Sequence, residues 1–404
     1  MTVNPMSGLR TRVSRSSTYR GAPVVDVDLY GRQTVTDPRS VYRRIRDAGP
    51  LVWLPRHRLW AMGRFDDVRA ALRDDHTFRS GKGVAANPIA NTLGHYTTLA
   101  SDDRAHTDRR AILMQSLAAR AIRPALPAME QEAAATVARL CQRQSFDGIA
   151  DFATRLPVQV VADLVGVQVS AAKMLTWGRA TFDGLGPTNP RAVTAATGAL
   201  GLYLYTLRLR RKHVTPHGWA ASVFDAADRG RISRLEAKNM IIDFVAPSLD
   251  TTILATGQLL WSLGTQPGVW EQIRVDPALI PRAVTEAVRL ASPVRAFTRT
   301  AAVDTTIGEI ALRAGERVAL VYAAANSDER HFDRPHQFCL NRRGSNLGWG
   351  HGIHTCVGMQ LAKLEMQTLL HAMVPRVGRI SVSDPRPLHN NCLQGLKSFR
   401  ASFH

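Results

Sequence analysis

The chain has 404 residues, of which 45% are hydrophobic, so it can bury a large core and extensive disorder is excluded. Fifty-two Lys and Arg against 33 Asp and Glu give a net charge of +19, which favours acidic partners. No zinc-finger or ribonucleoprotein motif accompanies this charge, which argues against nucleic-acid binding. The four cysteines form no CxxC pair, and such usage is typical of a reducing cytoplasm. No apolar run reaches 18 residues, so we expect no membrane contact.

The N-terminal third predicts a tail, a hairpin and several helices. Residues 1–20 are basic and Ser-rich, without the apolar core of a secretory signal, and predict a flexible tail. Alternation around a proline in "LVWLPRHRLWAMG" (Leu51–Gly63) predicts a hairpin. The chain then predicts a helix over Ala70–Phe78, a loop over Gly81–His95 and proline-interrupted helices over Thr107–Leu140.

A long apolar helix is predicted over Arg234–Gly264, although Pro247 stands near its middle. Pro247 has no N–H to donate to the carbonyl of Asp243, so the helix should open there. Further on, Gly-punctuated alternation over Thr305–Ala323 predicts a small β-region, and the C-terminal residues predict a final hairpin. The fold class is therefore mainly α with minor β, with residues 21–404 forming a single domain.

The stretch "GWGHGIHTCVG" (Gly348–Gly358) places Cys356 on a glycine-lined turn just before a helical pattern. A buried structural cysteine or a thiol paired with His354 would be alternatives, but the first needs no glycines and the second lacks an orienting residue. A Walker loop and a dinucleotide fingerprint do not fit the spacing. A thiolate metal ligand at a helix start, stabilised by free backbone N–H groups, remains.

The segment "WGHGIHTCVGMQLAKLE" resembles the haem-binding signature of the cytochrome P-450 family. The resemblance implies a helix-rich triangular prism with a small β-region and haem b bound by Cys356 as the axial iron ligand. Gly350 matches the signature, and Trp349 stands where the family usually has Phe. This departure should change packing around the haem without removing the site.

Other segments resemble further elements of the family. Glu286 and Arg289 in "EAVR" resemble a Glu-x-x-Arg element, and Arg342 should be its third member. The resemblance also implies partners for the haem propionates, because carboxylates entering a protein interior need cations or hydrogen-bond donors. These partners are His106, Arg110, Arg299 and His354.

Asp250 and Thr251 resemble the family's acid–alcohol pair, in which a carboxylate and a hydroxyl deliver protons for oxygen activation. The alternative is a Thr that bonds back to its own helix beside an exposed Asp. The family commonly has small residues where this chain has Pro247-Ser248, so we expect Pro247 to open the helix in their place.

The family pattern also predicts a mostly apolar substrate pocket. Its walls should include the loop 84–96 and Asp243, Ala246, Val294, Ala296, Phe297, Leu393 and Gln394. The chain somewhat resembles bacterial members that demethylate para-substituted benzoates, but no Arg in the loop before "DDRAHT" suits a carboxylate. Asp243 and Gln394 instead suit a small aromatic or heterocyclic molecule with N–H donors, such as a secondary metabolite or cyclic peptide, unless an Arg neutralises Asp243.

Electrons should come from NAD(P)H through a ferredoxin or flavodoxin and its reductase, docking on basic residues such as Arg109, Arg110, Arg120 and Arg123. The resulting prediction is a cytoplasmic monooxygenase that inserts oxygen from O₂ into a small molecule of secondary metabolism. An alternative within the fold is oxidative radical coupling of aromatic, indole or cyclic dipeptide substrates. A haem sensor or a nucleic-acid-binding protein is a remote alternative, and the acid–alcohol pair disfavours the sensor.

Overall fold

A computed structural model of the protein describes residues 18–404. Helices dominate, as expected for a mainly α fold. They are α1 (Arg32–Thr36), α2 (Pro38–Ala48), α3 (Phe65–Arg73), α4 (Pro88–Leu93), α5 (Asp103–Leu117), α6 (Ala119–Ile122), α7 (Leu126–Cys141), α8 (Arg155–Val165), α9 (Ala171–Gly184), α10 (Pro190–Arg208), α11 (Trp219–Asp228), α12 (Arg234–Val245), α13 (Asp250–Thr265), α14 (Val269–Val275), α15 (Ile280–Ala291), α16 (Tyr322–Ala325) and α17 (Met359–Met373).

The strands are short and form small sheets at the sides of the helical body. They are β1 (Thr18–Tyr19), β2 (Ala22–Pro23), β3 (Val52–Leu54), β4 (Leu59–Met62), β5 (Phe78–Arg79), β6 (Phe146–Asp147), β7 (Phe297–Ala301), β8 (Thr305–Ile307), β9 (Ile310–Leu312), β10 (Arg317–Leu320), β11 (Ile380–Pro387) and β12 (Leu396–Phe403). The largest sheet has the order β3-β4-β10-β7-β5, in which only β4 and β10 are parallel. A second sheet has the order β11-β12-β6.

The largest hydrophobic cluster lies among the helices, and α13 supplies Ile253, Leu259 and Leu263 to it. The α12–α13 segment, Arg234–Thr265, is long and apolar enough to cross a membrane by length and composition. However, 72% of its most apolar window is buried inside the protein. It is therefore a central core element, as its all-round apolar pattern predicted.

Most predicted elements are confirmed, with local corrections. The hairpin of β3 and β4, the β-region around β8 and β9 and the hairpin of β11 and β12 are all present. The helix predicted over Ala70–Phe78 is wrong beyond Arg73, because Asp74 leaves helical geometry at φ −93° and ψ 76°. The predicted loop at 81–95 contains α4, which the Asn87 side chain caps.

The predicted flexible tail is wrong for its last three residues, and the remainder, 1–17, lies outside the described residues. Thr18 and Tyr19 pair with β2 as strand β1. The Tyr19 ring stacks on Trp53 with 4.3 Å between ring centroids, and Arg20 pairs with Glu316. Aromatic stacking and an ion pair therefore hold a segment whose composition alone predicted no structure.

Candidate active site

The loop that carries Cys356 is shaped by glycines with positive φ. Gly350 and Gly352 adopt φ of 70° and 69°. A Cβ on Gly352 would lie 2.1 Å from the carbonyl oxygen of Leu72, so a side chain cannot be accommodated there. The Cys356 N–H donates to the carbonyl of Trp349 at 2.8 Å. This hydrogen bond closes the loop and turns the thiol toward a cavity just before α17 begins.

Backbone N–H groups at the start of α17 surround the thiol. Desolvation raises the pKa of Cys356, whereas the N–H groups of Gly358 and Met359 and the guanidinium of Arg110 act in the opposite direction. These three groups favour the thiolate over the thiol. A bound cation would add to their effect, because a coordinating thiol is deprotonated outright.

A cavity of about 360 Å³ lies between this loop and the α12–α13 segment. Every residue that the sequence resemblance assigned to haem contact lines it: His106, Arg110, Arg299, Trp349, Gly350, His354 and Cys356. They come from α5, β7 and the cysteine loop, so the fold brings together residues up to 250 positions apart.

The cavity wall contains hydrogen-bond donors that lack acceptors. The Nε2 atoms of His106 and His354 and the Nε1 atom of Trp349 are buried without a partner. The guanidiniums of Arg110 and Arg299 form no ion pair within residues 18–404. Buried polar atoms without partners and cations without a countercharge are costly, so this wall suits a bound group that carries negative charge.

The histidines of this wall are neutral while no anion lies against them. Desolvation, followed by Arg299, His106 and Arg110, lowers the pKa of His354 to about 2. The pKa of His106 is also lowered, chiefly by desolvation. The two rings lie 4.2 Å apart between centroids. A thiol, two arginines and unpaired ring nitrogens around one cavity fit haem b, whose iron takes the thiolate and whose two propionates need donors.

A buried ionic cluster joins α15 to the segment before the cysteine loop. Glu286 is 3% exposed and accepts from Arg289 at 2.7 and 2.8 Å and from Arg342 at 2.8 Å. Arg289 also donates to the carbonyls of Asn326 and Pro335, each at 2.7 Å. The three residues that the sequence grouped therefore meet, and they fix the backbone on which the cysteine loop rests.

The central helix is interrupted at Pro247, as the sequence predicted. The helical pattern stops at Val245 and resumes at Asp250, and both Pro247 and Ser248 line the cavity. The Thr251 hydroxyl also lines the cavity and donates to the Pro247 carbonyl at 2.8 Å. The alternative interpretation expected such a bond from the Thr251 hydroxyl back to its own helix. The same bond also holds the hydroxyl beside the opening.

Asp250 is buried at 2% exposure, so the alternative interpretation of an exposed Asp is wrong. One of its carboxylate oxygens accepts from Arg179 Nε at 2.8 Å, and the other is buried without a partner. Desolvation raises the pKa of Asp250, and Arg179 opposes that shift. Because the Arg179 side chain is 46% exposed, this pair connects a buried carboxylate with solvent.

The structure places part of the predicted substrate wall along the cavity. Five residues of the predicted loop 84–96 line it, and so do Asp243, Ala246, Val294 and Phe297. Ala296, Leu393 and Gln394 do not, so their placement in the wall was wrong. Ala296 is 2% exposed and packs behind β10, and Leu393 packs behind Val294 and Phe297. The Gln394 amide donates to the Ala291 carbonyl at 3.0 Å and accepts from the Tyr42 hydroxyl.

Sequence reasoning missed several residues of the site. Arg179 pairs with Asp250 across 71 positions, and Thr98 donates its N–H to Asp243 across 145. Apolar side chains of α9, α10 and α11 complete the cavity, among them Phe182, Leu202 and Trp219. No local pattern marks them, since they meet only after the helices pack.

Comparisons with known proteins agree with this geometry. The family model of cytochrome P450 matches residues 220–378. Cytochrome P450 CYP199A2 of Rhodopseudomonas palustris is 30% identical over 94% of this chain and 94% of its own. The steroid C26-monooxygenase of Rhodococcus jostii is 25% identical over 98% of this chain and 88% of its own. The crystal structure of the Acinetobacter radioresistens CYP116B5 heme domain superposes with a TM-score of 0.82 at 21% identity, covering 94% of this chain and 97% of that one.

The chain therefore belongs to the cytochrome P450 family and has its fold. It is an oxidoreductase of the monooxygenase type, and its cofactor is haem b, bound in this family through a cysteine thiolate. The family uses O₂ together with redox partners such as ferredoxins.

Proposed function

We propose that this protein is a cytoplasmic haem-thiolate monooxygenase in which Cys356 would supply the thiolate to the haem iron, acting on small aromatic or heterocyclic molecules. Its electrons come from NAD(P)H through a ferredoxin or flavodoxin and its reductase. One observation carries the proposal: the Cys356 thiol and the unpartnered donors of His106, His354 and Trp349 converge on one cavity. A bound haem would give these buried polar atoms the partners that they lack within the described residues.

When bound, the haem supplies the iron centre at which O₂ is reduced and one oxygen atom is transferred to the substrate. His106, Arg110, Arg299 and His354 would hold its propionates by charge and hydrogen bonds. Trp349 and Gly350 form the cysteine-side wall, where the glycine leaves room for close approach. The N–H groups of Gly358 and Met359 stabilise the thiolate and set how strongly it donates electrons.

Proton delivery is assigned to Thr251 and Asp250. The Thr251 hydroxyl stands at the opening of the helix, where it can pass a proton into the cavity. Asp250 lies next to it in sequence, but its carboxylate is turned to Arg179. Since Arg179 reaches solvent, rotation of this pair replenishes protons from outside without exposing the cavity to bulk water.

Replacing Pro247 with alanine tests the opening. The variant restores the donor that Pro247 lacks, so the break between α12 and α13 should narrow. We expect slower product formation and a larger share of NAD(P)H lost as hydrogen peroxide, by roughly threefold to tenfold. Product and peroxide yields per NAD(P)H measure this coupling, with Pro190→Ala at the start of α10 as the control. Unchanged coupling in the Pro247 variant would show that the proline is not required.

Turnover with ¹⁸O₂ tests the reaction type. Insertion of oxygen retains the label in the product, whereas radical coupling of two rings does not. A screen of small aromatic and heterocyclic compounds by Soret shift in the ferric protein supplies the substrates. Labelled product supports the proposed monooxygenase, and unlabelled coupled product contradicts oxygen insertion while leaving the haem assignment intact.

The docking surface for the redox partner is narrower than the sequence suggested. Arg109 is 5% exposed and bound to Glu236, and Arg110 lines the cavity, so neither can dock a protein. Arg120 and Arg123 are exposed beside α6, which packs against α17. These two arginines are the remaining candidates on the cysteine side.

Reversing the charge of Arg120 and Arg123 tests this surface. Because charge complementarity acts mainly on association, we expect the double Glu variant to lower turnover with an acidic ferredoxin roughly tenfold at low salt. Added salt should slow the wild type and narrow the difference. The control, Arg39→Glu with Arg313→Glu, carries the same charge change at other exposed positions. A salt-insensitive wild-type rate would indicate a different docking face.

A further inference from the structure

A second polar group faces the cavity on the side of α12 and has no part in holding the haem. Asp243 lines the cavity, and its Oδ2 accepts from the N–H of Thr98 at 2.8 Å. Thr98 also lines the cavity and is 5% exposed, and its hydroxyl is buried without a partner. One carboxylate and one unpaired hydroxyl thus lie together on the α12 side of the cavity.

Within residues 18–404, this carboxylate forms no ion pair. The buried guanidinium of Arg109 donates to Glu236 at 2.8 Å and to the carbonyls of His95 and Thr97 at 3.3 Å. Glu236 in turn completes the capping box with Ser233 at the start of α12. Arg109 therefore fixes the loop that presents Thr98 to Asp243, but it gives no hydrogen bond to Asp243 itself.

Several other polar side chains that line the cavity already have hydrogen-bond partners. The Asn91 amide bonds to the backbone of Ala85, the Thr181 hydroxyl to the Trp177 carbonyl and the Ser248 hydroxyl to the Phe244 carbonyl. Among the described residues, Asp243 is the only carboxylate that lines the cavity. The wall thus offers a ligand one negative charge, with the Thr98 hydroxyl close to it.

We propose that Asp243 and Thr98 form a subsite for a protonated amine, so that the substrates are small, largely apolar cations. Asp243 supplies the countercharge, and the Thr98 hydroxyl accepts an N–H of the ammonium group. The apolar remainder of the substrate lies against side chains such as Phe244 and Phe297. This inference rests on the proposed function, since it names the substrate class for that same cavity.

Electrostatics support the geometry. Burial raises the pKa of Asp243 to about 6, whereas the N–H of Thr98, its nearby hydroxyl and the charge of Arg109 oppose that shift. The carboxylate is therefore mostly ionised above neutral pH although it lies in an apolar cavity. A charge held in this way gains strongly from a cation that displaces water, because ionic hydrogen bonds strengthen as the surroundings become less polar.

Binding of a matched pair of ligands tests the subsite. The probes are benzyltrimethylammonium and its neutral carbon isostere (2,2-dimethylpropyl)benzene, titrated into the haem-loaded ferric protein at pH 8 by calorimetry and Soret shift. A quaternary nitrogen cannot ligate the iron, so preference for the cation reports on the protein wall. We expect the wild type to bind the cation at least about tenfold more tightly than the isostere.

Variants test whether the Asp243 carboxylate, and not another part of the protein, causes the preference for the cation. Asp243→Asn should bring the two dissociation constants within about twofold of each other, mainly because the cation binds more weakly. If the Asn variant fails to take up haem, Asp243→Ser replaces it. Asp163→Asn, a change at an exposed position on α8, should keep the full preference. Thr98→Val should weaken the binding of N,N-dimethylbenzylammonium, which carries an N–H, more than the binding of the quaternary probe.

Equal binding of the two probes by the wild type, or a preference that survives in Asp243→Asn, overturns the inference. These measurements need no turnover and no electron donor. A failure of the proposed monooxygenase reaction would appear in the ¹⁸O₂ products and leave the binding preference unchanged. A failure of the amine subsite would appear in the titrations and leave the reaction unchanged.

Discussion

Replacing Cys356 with serine should abolish the monooxygenase reaction, lowering turnover by at least about a thousandfold. The hydroxyl is a far weaker ligand and electron donor than a thiolate, and no other cysteine lines the cavity. The cavity donors remain, so the variant should still take up haem, in reduced amount. Product formation with a fixed amount of ferredoxin and reductase, normalised to haem content, measures the effect.

Cys141→Ser is the matched control, because Cys141 is exposed at the end of α7 and does not line the cavity. This variant should keep wild-type haem content and turnover. If Cys356→Ser instead retained activity within tenfold of the wild type, the reaction would not need the Cys356 thiolate as a ligand of the haem iron.

Replacing Glu286 with glutamine should produce the largest loss of stability. The substitution removes the carboxylate that pairs with Arg342 and with Arg289, whose side chain is 1% exposed. Breaking a buried ion pair in this way costs about 3–5 kcal/mol, a large part of the total stability of a domain. We expect little soluble holoprotein and a fall of about 3 kcal/mol in the free energy of unfolding, measured by denaturant titration.

The protein contains a well-matched control for this prediction. Arg274 and Glu271 form another ion pair at a spacing of three residues, but their side chains are 36% and 60% exposed. Glu271→Gln should change the free energy of unfolding by no more than about 1 kcal/mol, because surface pairs are screened by water. Equal effects of the two substitutions would mean that the buried cluster does not hold the fold together.

The sequence predicted those parts of the site that depend only on residues close together in the chain. The turn before α17 needs glycines at fixed positions around Cys356, so its motif is readable from the chain. The break at Pro247 follows from a missing N–H, which acts within one helical turn. The Glu-x-x-Arg element is likewise readable, because both residues lie on one face of α15.

Local sequence could not predict the positions of residues that depend on packing between distant elements. Gln394 belongs to the final hairpin, but a bond to Ala291 turns its amide away from the cavity. Arg109 and Arg110 are neighbours in a basic stretch, but their environments differ. Arg109 pairs with Glu236, whereas Arg110 lines the cavity. The hydrogen bond between Thr98 and Asp243 likewise depends on how the 95–98 loop packs against α12.

Reduction of the purified protein under carbon monoxide tests the central claim most directly. Thiolate ligation by Cys356 predicts a strongly red-shifted Soret band in the carbon monoxide adduct, in wild type and Cys141→Ser but not in Cys356→Ser. A wild-type protein that binds haem yet shows an unshifted Soret band, or the same band with and without Cys356, would contradict the assignment.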